Sequence, residues 1–220
     1  MNRTLLITMG AVLQMACGGA YGALISADPN AMSGWKGAQP FLATDGTETL
    51  DVSVDYAVYA PGHYALSGGV DPSGGADYVY AYQVFNIVDP LSVELSALSV
   101  GIVAGSGAHH IGVDTSPGAP GQPGGVLPSD KSFSPTSARW YFASPTVNYG
   151  DNSVLLLFTS GQAPQWKAAS VWDSGLSIQK QLPSPQPQLN VPEPATLALL
   201  ALGGLGVIGR ATRRKRGSSE

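Results

Sequence analysis

Few residues in this 220-residue chain combine the types and spacing that chemistry needs. Val113-Asp114-Thr115-Ser116 sets a carboxylate beside two hydroxyls. Such a loop can activate water when a second carboxylate shares its proton. The only comparable stretch, Asp45-Gly46-Thr47, is in scrambled order, so Asp114 is expected to cap its own turn. His109 and His110 adjoin that loop. Neighbours on an ideal strand point to opposite faces, so the pair is not expected to hold one metal ion, and His63 is the only other histidine. Asp71 to Asp77 and Asn148 to Asn152 offer oxygen ligands for calcium. Neither has the spacing of a known calcium loop, and turn formation explains both. Tyr78, Tyr80 and Tyr82, with the later Trp140, would stack sugars if exposed and build core if buried; period-two tyrosines favour core.

Val113-Asp114-Thr115-Ser116 resembles the Asp-Thr-Ser/Gly loop of aspartic proteases, which would imply a hydrolase using Asp114. The chain offers no second copy of that loop. The body also lacks a Gly-rich phosphate loop, a serine elbow and a cysteine nucleophile. No catalytic residue, metal site or cofactor is expected, calcium being the one ion left open.

These residues must be positioned by short strands. Charged residues make up 12% of the chain, while Gly (28) and Pro (17) are abundant, which suits strands joined by turns rather than helices. Leu50 to Val58 alternates, with Leu50, Val52, Val54, Tyr56 and Val58 on one face and a wet face opposite. Asp77 to Ile87 is apolar on both faces and belongs at the centre of a sheet. Leu91–Val103, Ala138–Ala143, Ser153–Thr159 and Ala168–Trp172 add further runs. The expected fold is all-β: an antiparallel β-sandwich of seven to nine strands over residues 23–182. The Pro/Gly-rich run Ser116 to Gly125 is a long surface loop, and residues 183–191 form a Pro-rich extended spacer.

Five cations stand against thirteen carboxylates between Ala23 and Leu189, a balance of −8. That acidity argues against nucleic acid as a partner. The single cysteine, Cys17, lies in an apolar leader, so the body forms no disulfide.

The two ends carry addresses. Arg3, an apolar run from Leu5 to Leu13 and small residues from Ala16 to Ala23 make residues 1–22 a secretory signal peptide, as a signal helix cleaved after Gly22. A lipoprotein reading would use Cys17, but Gln14-Met15-Ala16 lacks the aliphatic residue expected upstream. At the other end, Pro192-Glu193-Pro194 precedes an uncharged run, Ala195 to Gly209, and the cluster Arg210, Arg213, Arg214, Lys215 and Arg216. A helix started by Pro194 would span about 22 Å over that run, against a hydrocarbon core of about 30 Å. Such a short, glycine-rich transmembrane helix makes a weak anchor. Its basic end stays in the cytoplasm and leaves the body outside.

Residues 192–216 resemble the PEP-CTERM sorting signal of bacterial envelope proteins. The resemblance implies recognition of Pro192, Glu193 and Pro194 by exosortase, an integral-membrane cysteine protease of the inner membrane, and transfer onward to the envelope or outside. It also implies a setting of exopolysaccharide and biofilm matrix. The body is then expected to be a non-enzymatic structural or adhesive cargo, with an exopolysaccharide-binding module as the alternative.

Overall fold

The computed structural model describes residues 24–87, 93–173 and 175–187. The expected signal peptide, the expected Asp89-Pro90 turn and the sorting tail lie outside these residues. Ten strands form among the described residues, one more than the upper expectation: β1 (Lys36–Thr44), β2 (Thr49–Tyr59), β3 (Tyr78–Asn86), β4 (Ala97–Gly101), β5 (Ala108–Asp114), β6 (Asp130–Ser134), β7 (Ser137–Tyr141), β8 (Leu155–Ser160), β9 (Pro164–Trp172) and β10 (Ser177–Pro185). They make two five-stranded sheets, ordered β1-β2-β3-β8-β5 and β10-β9-β4-β7-β6, and the pairings within both are antiparallel. The expected all-β architecture of two antiparallel sheets is therefore present. No helix among the described residues is long and apolar enough to cross a membrane.

Alternation decides which side chains meet between the sheets. Leu50, Val52, Val54 and Val58 of β2 and Tyr80, Tyr82 and Val84 of β3 pack in one cluster with Leu98, Val100, Trp140, Val171 and Leu182 of the other sheet. Strand β3 is third of five and almost wholly buried, as a run apolar on both faces requires.

The other face of β2 is not wet, contrary to expectation. Asp55 and Ala57 are buried there. The segment before β1, with the short 3-10 turn Ile25–Ala27, and the single helical turn α1 (His63–Leu66) cover that face. Ile25, Tyr59, Tyr64, Val79, Ala81 and Leu157 form a second, smaller core beneath them. Burial raises the Asp55 carboxyl above its ordinary value, partly offset by a hydrogen bond from Ser26 Oγ at 2.9 Å.

One further boundary moves. Strand β10 runs through Pro183 to Pro185, and the compact body ends at Gln186, so residues 183–186 belong to the body and not to the expected spacer. An edge strand tolerates these prolines because its outer amides have no ladder partner to lose. The Pro/Gly-rich loop stays at the surface but is pinned. The buried Gln83 donates from Nε2 to the Gln122 carbonyl at 2.9 Å and accepts from the Gln122 amide at 2.9 Å. Gly68 (φ +84°) lies so near that loop that a Cβ there would overlap the Gly118 carbonyl oxygen.

Candidate functional site

Asp114 ends β5 and is 7% exposed. Its Oδ2 accepts from the Tyr64 hydroxyl at 2.8 Å and the Val70 amide at 2.8 Å. Its Oδ1 accepts from the Ser116 amide at 2.8 Å and the Ser116 hydroxyl at 2.6 Å. Burial opposes ionisation, but the bonds from Ser116, Val70 and Tyr64 outweigh it and hold the carboxyl below its ordinary value. No carboxylate is among these partners. A pocket of about 270 Å³ opens beside it, lined in part by Ser116, Pro120, Pro123 and Leu127. The Ser116 contacts are the turn cap expected from sequence. The Tyr64 and Val70 contacts add a role that sequence did not reveal: the carboxylate clamps α1 and the chain after it onto the sheet.

A second tyrosine–aspartate bond lies alongside. Tyr59 donates to Asp28 Oδ2 at 2.9 Å, and the Tyr59 and Tyr64 rings meet edge to face with centroids 5.0 Å apart. Burial, then the charge of the facing aspartate, pushes both phenols far above their ordinary range.

The histidines depart from the ideal-strand expectation. A bulge between His109 and Gly112, with His110 at φ +52°, turns neighbouring side chains toward each other. Their rings stand 4.4 Å apart instead of on opposite faces. His109 Nε2 lies 2.7 Å from Asp77 Oδ2, and Nδ1 lies 2.6 Å from the Gly107 carbonyl. Among the described residues, no group of three or more His, Cys, Asp or Glu is placed to hold a metal ion.

The oxygen-rich turns largely bond to themselves. Asp71 Oδ1 accepts from the Ser73 amide at 2.8 Å and the Ser73 hydroxyl at 2.7 Å. Asn148 Nδ2 donates to Asp151 Oδ2 at 3.3 Å.

The aromatic row is core. Tyr80, Tyr82 and Trp140 are at most 1% exposed, and Tyr78 packs partly buried against the same cluster. Tyr80 donates to the Gln162 carbonyl at 2.7 Å, and Tyr82 donates to the Pro183 carbonyl. The buried rings of Tyr80, Tyr82 and Trp140 cannot stack a sugar.

A different aromatic group reaches the surface, and sequence reasoning missed it. Trp35 precedes β1, Tyr56 lies on β2 and Trp166 lies on β9. The Trp35 and Trp166 rings are 5.3 Å apart and tilted by 32°, and Tyr56 meets Trp166 edge-on at 5.6 Å. Residues 131 positions apart in the chain give no local signal of this contact.

The candidate sorting residues, Pro192, Glu193 and Pro194, and the basic residues Arg210, Arg213, Arg214, Lys215 and Arg216 lie outside the described residues. The family model described as "PEP-CTERM protein-sorting motif" matches residues 190–215. No curated protein and no solved structure matches the chain. The motif implies export and sorting, with exosortase as the processing partner. The chain thus carries a PEP-CTERM sorting motif behind an all-β body of two antiparallel sheets.

Proposed function

We propose that this chain is a cell-envelope or extracellular-matrix protein, tethered at the inner membrane by its tail and cut by exosortase near Pro192-Glu193-Pro194. The body then serves as a non-catalytic structural or adhesive component. The observation that carries this reading is the sorting motif at residues 190–215. The internal bonding of Asp114 supports the non-catalytic part, because a carboxylate accepting four hydrogen bonds has little capacity left to activate water.

The tether follows from the tail's composition. Fifteen uncharged residues hold the chain weakly, and five cations keep its end inside. Cutting near the Pro-Glu-Pro motif separates body from anchor in one step.

The test replaces Pro192, Glu193 and Pro194 together with alanine and follows the protein by cell fractionation in the native host. The expected result is full-length protein retained in the inner-membrane fraction, with the shortened form absent. Processing at the wild-type rate and position would overturn the proposal.

A further inference from the structure

We propose that the exposed Trp166, backed by Trp35 and flanked by the edge-on Tyr56, stacks one pyranose ring of a polysaccharide. The proposal goes beyond the sorting reading and does not rest on it.

Trp166 is the exposed member of the cluster, and Trp35 and Tyr56 are partly buried against the core beneath it. Trp166 is 43% exposed, whereas Trp140 is fully buried. Backbone pairing fixes the positions from which the three side chains project. The Val58 amide donates to the Trp35 carbonyl at 3.0 Å, Gly37 faces Tyr56 across the β1–β2 ladder, and Pro183 faces Trp166 across the β9–β10 ladder. Tyr56 and Trp166 are stiff aromatic side chains on regular strands and lose little freedom when a ligand lands on them.

Gly37 makes room for the phenol. A Cβ at that position would come within 2.7 Å of the Tyr56 hydroxyl oxygen. That hydroxyl has no hydrogen-bond partner among the described residues, whereas Tyr59, Tyr64, Tyr80 and Tyr82 all donate theirs. An aromatic surface with a hydroxyl beside it matches a sugar ring, which offers an apolar C–H face and a polar rim.

The exposed part of Trp166 is comparable in size with one sugar ring. A tryptophan covers roughly 150–250 Å² when buried, so the exposed part of Trp166 amounts to about 100 Å². The area suits one sugar ring.

The experiment titrates the full-length chain, held in mild detergent, with hexasaccharides of β-glucan, mannan, N-acetylglucosamine and galacturonate. Tryptophan fluorescence and calorimetry report binding. At least one hexasaccharide is expected to bind saturably. Trp166→Ala should weaken that binding about tenfold to a hundredfold, by the strength of one aromatic stack. Tyr56→Phe should weaken it about threefold to tenfold while leaving the melting temperature unchanged, since only the free hydroxyl is removed. Tyr149→Ala, an exposed aromatic elsewhere, should bind as wild type. Failure of all four sugars to bind, or binding by Trp166→Ala equal to wild type, would overturn the proposal.

Discussion

Trp140→Ala is expected to lower the free energy of unfolding by about 4 kcal/mol, the cost of emptying a large aromatic site in a packed core. The indole lies at the contact between the two sheets. It packs against Tyr82, with ring centroids 6.1 Å apart, and against Phe158 at 6.4 Å. It also donates from β7 to the Gly112 carbonyl of β5 at 3.0 Å, joining one sheet to the other. The substitution removes apolar volume and leaves that carbonyl without its donor. Trp140→Phe keeps most of the volume and should recover more than half of the loss. Urea unfolding followed by far-ultraviolet circular dichroism measures both. A loss below about 1 kcal/mol for Trp140→Ala would mean that the sheets do not depend on this contact.

Asp114→Ala is expected to cost about 3 kcal/mol, because the Tyr64 hydroxyl and the Val70 amide lose their shared acceptor beneath α1. The effect carries a pH signature. The folded carboxyl is held below its ordinary value, so the folded state favours the ionised form. Its contribution is complete above the unfolded value of about 3.9 and is lost as pH falls through the lower folded value. The stability gap between wild type and Asp114→Ala should therefore be constant from about pH 7 to 5 and narrow in more acidic solution. Denaturant midpoints measured across that range check it. A gap that widens in acid would contradict the assigned direction.

The same residue shows how far sequence alone could reach. Its turn with Ser116 is two residues long and was legible. Its bonds to Tyr64 and Val70 cross 50 and 44 positions, and nothing local announces them. The strands divide in the same way. The apolar runs read from the sequence became β2, β3, β4, β7, β8 and β9, the interior members of the two sheets. The missed strands, β1, β5, β6 and β10, are the four sheet edges. Edges are half-solvated and carry features that keep other chains from pairing there, and those features hide the pattern. Pro40 interrupts β1, a bulge interrupts β5, Asp130 and Lys131 open β6, and Pro183 and Pro185 end β10. The covered outer face of β2 was hidden for another reason. Alternation tells which residues share a face, whereas its covering comes from Ile25 and Tyr64, outside the strand.

The tail was legible because its function depends on composition and order rather than on packing. Proline, glutamate and proline, an uncharged run and a basic end can be read without a fold. The surface cluster of Trp35, Tyr56 and Trp166 is the opposite case, since its existence depends on β1, β2 and β9 meeting in space.

The central claim is that the tail is removed after it has sorted the protein. Intact-mass spectrometry of the form recovered from the cell surface and the medium of the native host tests it most directly. The account predicts a mass ending near Pro192-Glu193-Pro194, without Arg210 to Arg216. A surface population in which most molecules retain that basic end would contradict it.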